Sequence, residues 1–260
     1  MSRDPIIRVR NLTVGYDQPL LEKLDFDIYP GEVFGVLGPS GSGKTTILRH
    51  MIGLLPPLGG SIHIDGDDIV LATGIARQRI LRKFGVMYQQ GALFGSMTVL
   101  ENIMLPMEEH TRLSAHARDL VGRLKLRLVG LQSYEDYLPA EISGGMRKRV
   151  AMARAMALDP RIVFLDEPSA GLDPATSADL DQLIRRLARS LGITFVMVTH
   201  EIASILRTNH RAIMLDKATK SIIETGSPSE LQNSSIPQVR RFFQREEREP
   251  DDDQMQENLT

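Results

Sequence analysis

The sequence contains no cysteine, which excludes disulfide bridges and thiolate zinc sites and fits a reducing compartment. It also lacks any apolar run approaching the roughly 18 residues of a membrane span. The opening segment, MSRDPIIRVR, has no apolar stretch of the kind a secretory signal carries. By itself the chain is therefore expected to be soluble and cytoplasmic. Charge is nearly balanced, with 31 Lys and Arg against 33 Asp and Glu, so the basic excess of a dedicated nucleic-acid binder is missing and no nucleic-acid partner is expected. A local basic patch stays open. No internal repeat is visible, so each motif occurs once.

What is present suffices for a full core: 260 residues, 42% of them hydrophobic, correspond to one large domain or a domain with a subdomain. Three apolar runs each end on a polar cluster: VFGVLG (Val33 to Gly38), IVFLDE (Ile162 to Glu167) and TFVMVTH (Thr194 to His200). Continuous rather than alternating runs suit strands buried on both faces of a mainly parallel sheet covered by helices. Ligands bind beyond the carboxyl ends of such strands, so the three ends nominate one shared site. The segments IIRVRNLTVGY and GSIHIDGDDI, rich in β-branched residues and turn signals, read as antiparallel sheet flanking that core.

Between Gln90 and Glu141 the pattern turns helical, with MTVLENIMLPMEEHTRL, where Pro106 marks a kink or break, and then HARDLVGRLKLRLVGL. The predicted organisation is an α/β domain over 1–245 with an antiparallel β subdomain and an inserted helical subdomain at about 90–155. The segment 246–260 is acidic, poor in apolar residues and expected to be disordered. Just before it, IPQVRRFFQRE places Val239, Phe242 and Phe243 at helical spacing. A short amphipathic helix there could pack on its own domain, a neighbouring copy or an accessory regulator.

The strongest chemical signal is GPSGSGKTT: Gly38, Pro39, Ser40, Gly41, Ser42, Gly43, Lys44, Thr45 and Thr46. It fits G-x-x-x-x-G-K-[ST], follows a predicted strand and opens a predicted helix, a context that a chance glycine-rich turn lacks. The glycines let backbone amides converge on phosphate oxygens, Lys44 can reach the β and γ phosphates, and the Thr45 hydroxyl can ligate magnesium. IVFLDE then directs Asp166 toward the metal and Glu167 toward the γ-phosphate, where it could act as general base. Adjacent acids at a strand end otherwise form a solvated turn, and the phosphate loop argues for the catalytic reading. His200 shares the same sheet edge, although a lone His is also a common structural residue.

The stretch ISGGMRKRV raises a separate question. Ser143 and two glycines read as a cap and tight turn opening a helix, yet Arg147, Lys148 and Arg149 come in its first turns. Unpaired amides already place about half a positive charge at a helix N-terminus, so such a concentration of cations calls for an anion.

GPSGSGKTT, the Gln89 of YQQG, ISGGM, IVFLDEP, SAGLD and the His of VTH succeed one another in the order of Walker A, Q-loop, signature, Walker B, D-loop and H-loop. By these motifs the chain resembles the ATP-binding cassette (ABC) transporter ATPases, over nearly its whole length up to about Gly226. The resemblance implies a P-loop NTPase core of α/β class, ATP and Mg2+ as cofactors, and a head-to-tail homodimer of ATPase subunits. In such a dimer Ser143, Gly144 and Gly145 would offer a hydroxyl, amides and a helix N-terminus to ATP held by the partner copy. The missing anion would lie there. The implied roles are phosphate and magnesium binding for Lys44 and Thr45, sensing of metal and attacking water for Gln89, and magnesium binding for Asp166. Glu167 would be the base and His200 a γ-phosphate contact. Asp173 would belong to the dimer-facing D-loop, and Tyr16 would stack on adenine, a place it could equally hold for packing. Met146 departs from the Gln usual in the signature and cannot hydrogen-bond like an amide. The intact Ser and glycines imply a working site.

Within that family, YQQGALFGSMTVLENIMLPMEEHTRLS and ISGGMRKRVAMARAMALDP look like the ATPases of bacterial maintenance-of-lipid-asymmetry (Mla) phospholipid transporters and their relatives that serve MCE-domain systems. This implies an integral membrane permease, an MCE-domain lipid-binding protein, a small STAS-domain regulator, and a place at the cytoplasmic face of the bacterial inner membrane. The cargo would be phospholipid moving between inner and outer membranes. Leu93, Phe94 and Met97, close to Gln89, could form an apolar socket for a permease helix or fill the subdomain's own core. A transporter ATPase for an amino acid, peptide or drug remains compatible, because this chain does not touch cargo in that architecture. Soluble cassette engines acting on ribosomes or DNA usually carry two cassettes or a long coiled coil, and neither feature is in this sequence.

Overall fold

The computed structural model describes residues 4–244, and the expected tail at 246–260 lies outside them. The chain opens with an antiparallel pair, β1 (Ile7–Gly15) and β2 (Pro19–Ile28), and then enters the central sheet as β3 (Val33–Leu37), followed by helix α1 (Lys44–Met51). It returns to the first sheet with β4 (Gly59–Ile64) and the short β5 (Asp67–Asp68). Helix α2 (Gly74–Leu81) and β6 (Phe84–Met87) are next. Three helices then succeed them, α3 (Val99–His110), α4 (Ala115–Leu128) and α5 (Gly144–Ala155). The rest alternates: β7 (Ile162–Asp166), α6 (Pro174–Leu191), β8 (Thr194–Val198), α7 (Ile202–Thr208), β9 (Arg211–Asp216), β10 (Ser221–Gly226), α8 (Pro228–Gln232) and α9 (Pro237–Gln244).

The predicted division between antiparallel and parallel sheet is present. The first sheet has the order β2-β1-β4-β5 and is antiparallel throughout. In β1 the buried positions shift from Ile7 and Val9 to Leu12 and Val14, with Asn11 at φ 46 and a register shift between Val9 and Leu12. A bulge there keeps both halves of the strand facing the core. The second sheet runs β10-β9-β3-β8-β7-β6, parallel except where β10 turns back on β9.

β3, β7 and β8 are buried at every position, as their unbroken apolar runs predicted. Their alternate residues enter two cores, because successive side chains leave a strand on opposite faces. Phe34, Phe164 and Val196 pack with α1 and the antiparallel sheet. Val33, Val163 and Phe195 pack on the other side with α3, α5 and α6. Among the described residues no helix is long and apolar enough to cross a membrane.

Two expectations need correction or refinement. Pro106 does not break its segment: α3 runs continuously from Val99 to His110 with Pro106 inside it. A Thr98–Glu101 capping box secures its start, and buried Ile103 and Met107 flank the proline, so packing outweighs the lost backbone bond. The amphipathic segment near the end forms α9, which buries Val239 and Phe243 against this chain's own third cluster, with Leu37 and Met214. Its apolar residues thus meet this chain's own domain.

Candidate active site

The site begins where β3 ends. Gly38 has φ 150, and a Cβ there would lie 2.5 Å from the Ser42 hydroxyl oxygen and 2.8 Å from the Leu215 carbonyl, so a side chain does not fit. Gly43, at φ 95, is the N-cap of α1 and offers no side-chain acceptor to the helix's first amides. Those amides are suited to an anion. Lys44, the first residue of the helix, is buried and folds back over the loop, its Nζ donating to the carbonyls of Gly38 at 2.8 Å and Pro39 at 3.1 Å. Burial pulls the Lys44 ammonium below its usual pKa, partly offset by the charges of Glu167 and Asp166. Ser42 Oγ is buried without a protein partner, while Ser40 and Gly41 are exposed and Thr46 is half-buried.

The carboxyl end of β7 lies beside this loop. Thr45 Oγ1 donates to Asp166 Oδ1 at 3.3 Å. Burial, and after it the neighbouring Glu167, push the Asp166 carboxyl above its usual pKa. Glu167 comes next with a left-handed backbone at φ 46, its N–H held by the Val198 carbonyl at 2.9 Å. This strained conformation turns its buried carboxylate toward the third strand end, where His200 Nδ1–H donates to Glu167 Oε1 at 2.8 Å. The other oxygen, Oε2, is buried with no protein partner. The sheet edge thus brings together Lys44, Thr45, Asp166, Glu167 and His200.

The residues present fit a magnesium ion. A hydroxyl and a carboxylate oxygen converge, and a cation would offset the burial that disfavours the charge on Asp166. Among the described residues no group of three or more acidic, His or Cys side chains is arranged to hold a metal ion. That donor set suits an ion that uses one or two protein oxygens and completes its shell with water and substrate phosphates.

The remaining candidates surround this centre. Gln89, exposed in the turn after β6, lines a cleft of about 460 Å³ with Gly144, Arg147, Lys148 and Gly171. Ser143 is the N-cap of α5, its Oγ accepting from the Met146 N–H at 3.2 Å, and Gly145 lies against Thr176 so closely that a Cβ would come within 2.4 Å. Among the described residues no hydrogen bond or ion pair joins Ser143, Gly144 or Gly145 to the phosphate loop. Asp173 caps α6, accepting from the Ala175 and Thr176 amides at 3.1 and 3.0 Å, and bonds to Thr176 hold its carboxyl below the usual range. Tyr16 is 56% exposed after β1, its hydroxyl accepting from Arg49 at 3.1 Å.

The cations of α5 bond within this chain. Arg147 donates to the Ile142 carbonyl at 2.9 Å, Arg149 to the Val129 carbonyl at 3.2 Å, and Lys148 to the carbonyls of Gln89 and Glu167. Each of the three cations thus has a carbonyl acceptor within this chain, and Arg149 also lies 3.9 Å from the Asp179 carboxylate, while Arg147 stays exposed. Met146, partly buried, packs against the helical core. In the segment after Gln89, Leu93 joins the core and Phe94 is 50% exposed.

Several positioning side chains carry no motif. Buried His50 accepts the Gly15 N–H at Nε2 (3.3 Å), and its Nδ1 lies 3.1 Å from the Leu55 carbonyl. That arrangement requires a neutral ring with the proton on Nδ1, and it secures the turn into Tyr16. Buried Asp181 receives bonds from Ser204 at 2.6 Å and Arg207 at 2.9 Å, anchoring α7 just beyond His200. Fully buried Asn102 bonds the carbonyls of Phe94, Met97 and Thr98 and accepts the Phe94 N–H. A polar residue on the apolar face of α3 was the available signal for Asn102. For His50 and Asp181, nothing short of the tertiary contacts reveals the partner.

A buried lysine in a glycine turn between a buried strand and a helix, opposed by an acidic strand end, defines a P-loop nucleoside-triphosphatase. The chain belongs to the ABC transporter family, whose model matches residues 21–170, and it is an ATPase of that class. It is 42% identical over 239 residues to the "Probable ribonucleotide transport ATP-binding protein mkl" of Mycobacterium leprae (strain TN), covering 91% of this chain and 68% of that one. It is 37% identical over 224 residues to the "Intermembrane phospholipid transport system ATP-binding protein MlaF" of Escherichia coli (strain K12), covering 86% of this chain and 82% of that one. Among solved structures, the ATP-binding cassette MJ0796, in a dimeric post-hydrolysis state bound to ADP and Pi, matches with a TM-score of 0.77 at 30% identity. That match covers 85% of this chain and 98% of that chain.

Proposed function

We propose that the chain hydrolyses ATP at two sites formed between two head-to-tail copies, and that this drives phospholipid movement through a membrane permease. The carrying observation for hydrolysis is the Glu167 carboxylate, buried, held at one oxygen by His200 and unpartnered at the other. Backbone amides of the loop Gly38 to Thr46, other than that of Pro39, and the Lys44 ammonium would hold the phosphates, and exposed Tyr16 would take the adenine. Thr45 and Asp166, with Gln89 reaching in from its turn, would hold magnesium, which when bound neutralises phosphate charge. Glu167 Oε2 would accept a proton from the water that attacks the γ-phosphorus, with ADP leaving as the bond to its β-phosphate oxygen breaks. His200 keeps that carboxylate aimed and would contact the γ-phosphate. Ser143, Gly144 and Gly145, apart from this chain's own phosphate loop, would complete the partner's site, and Asp173 would lie at the same interface.

Division into a core and a helical subdomain at about 90–155 gives this chemistry a mechanical output. The exposed Phe94 beside the Gln89 turn would meet a permease helix, so dimer closure would move membrane-embedded segments. Phospholipid cargo is supported by likeness to the intermembrane phospholipid transport system ATP-binding proteins MlaF. An MCE-domain partner, a STAS-domain regulator and a place at the cytoplasmic face of the bacterial inner membrane rest on the motif resemblance alone. A second reading, ribonucleotide as cargo, is favoured by the name of the Mycobacterium leprae relative. Purification of the tagged chain from its native membranes in mild detergent, followed by mass spectrometry of proteins and small molecules, separates the two. A permease with an MCE-domain protein and bound phospholipid is expected. A different solute-binding protein, or bound ribonucleotide without lipid, would overturn the cargo.

A further inference from the structure

The turn carrying Gln89 is held by side chains from the helical layer. Arg154 on α5 donates to the carbonyls of Gly91 at 3.0 Å and Ala92 at 2.8 Å, and Asn102 on α3 secures residues 94 to 98. One further contact leaves that layer. Lys148, one turn into α5 and only 7% exposed, donates to the Gln89 carbonyl and also, at 3.3 Å, to the Glu167 carbonyl at the end of β7. Arg147, Arg149 and Arg154 on the same helix bond other carbonyls and do not reach Glu167 among the described contacts.

We propose that Lys148 is a positioning residue: its ammonium ties the backbone of the Gln89 turn to the backbone of Glu167, so the two residues enter the active site in a fixed relation. The proposal rests on the roles given above to Gln89 and Glu167. Burying an ammonium is costly unless it is bonded and balanced; here two carbonyls bond it, and the nearby charges of Glu201, Glu167 and Asp166 partly offset the burial that pulls it below its usual pKa. The Glu167 carbonyl also accepts the Ala170 N–H at 3.2 Å, so the ammonium joins a turn already closed behind the carboxylate. Its three donors can span two carbonyls from different elements, which a neutral Gln or Met at this position could not do with the same reach and charge. Helix α5 opens at Ser143, so one helix carries both the signature presented to a second copy and the cation that sets the geometry of this copy's own site.

The test is ATP hydrolysis by the full chain in its native membrane complex, with ATP affinity measured alongside. Lys148→Met is expected to lower kcat about 10- to 100-fold, since small misplacements of reacting groups cost that much, with KM for ATP changed less than about threefold. Lys148→Arg, which keeps charge and donors, is expected to recover activity to within about fivefold of the parent. In a Gln89→Ala background the Lys148→Met change should cost less than about twofold, because residues acting through one another are not additive. Equal losses in both backgrounds, a loss confined to KM, or a Lys148→Arg variant as impaired as Lys148→Met would overturn the proposal. Should Lys148→Met not fold, the comparison of Lys148→Arg with Lys148→Gln in both backgrounds decides in the same way. Glu167→Gln is run in parallel: if it retains activity, the roles of Gln89 and Glu167 fail first. If it is inactive while Lys148→Met is not, only the positioning role fails.

Discussion

Replacement of Glu167 by Gln is expected to lower kcat about 100- to 10,000-fold, the range over which a positioned general base contributes, while ATP still binds. The amide keeps the shape of the carboxylate and can still accept from His200 Nδ1–H, now at 2.8 Å. What it loses is basicity at the atom that counts, since Oε2 is the one buried without a protein partner. The hydrogen bonds from Lys44 to the Gly38 and Pro39 carbonyls do not involve the substituted side chain, so phosphate binding should persist. Phosphate release and equilibrium ATP binding on the same preparation check both halves. A kcat within about threefold of the parent would mean that another group takes the proton.

A second large effect concerns the packing that aims the Gln89 turn. Gly85 in β6 faces the end of α5 so closely that a Cβ would lie 1.8 Å from the Ala155 carbonyl oxygen and 2.6 Å from its carbon. Both are backbone atoms, so strand or helix must move. Gly85→Val is expected to destabilise the fold by about 3 kcal/mol, at the upper end of what overpacking costs. For a chain of this size that corresponds to a fall of about 6–12 °C in melting temperature. β6 also pairs with β7 across Gly85 and Val163, so the disturbance reaches the strand that ends at Asp166. Differential scanning calorimetry without nucleotide is the appropriate check. A melting temperature within about 2 °C of the parent would show that the helix end yields easily.

Much of this architecture was legible in the sequence because local pattern and tertiary role coincide. The buried runs of β3, β7 and β8 read as core strands, and Lys44, Asp166, Glu167 and His200 stand at or just beyond the carboxyl ends of those strands, where a ligand is expected. Prediction failed where the determining contact is distant. Pro106 reads as a breaker because the sequence does not show that Ile103 and Met107 bury α3 on both sides of it. The carbonyls at residues 142, 89, 167 and 129 that accept from Arg147, Lys148 and Arg149 are likewise invisible in a string of side chains. His50 and Asp181 were passed over for the same reason, since a buried polar residue is recognisable only once its partners are known.

The central claim is that ATP hydrolysis takes place at a site completed by a second copy of the chain. Sedimentation velocity of Glu167→Gln, with and without ATP, tests it most directly, because this substitution is designed to hold ATP without consuming it. The account predicts monomers without nucleotide and dimers with it, and loss of those dimers when Ser143→Arg is added, since the new side chain would occupy the place offered to the partner's phosphate. Monomers at saturating ATP, or ATP-induced dimers indifferent to Ser143→Arg, would contradict it.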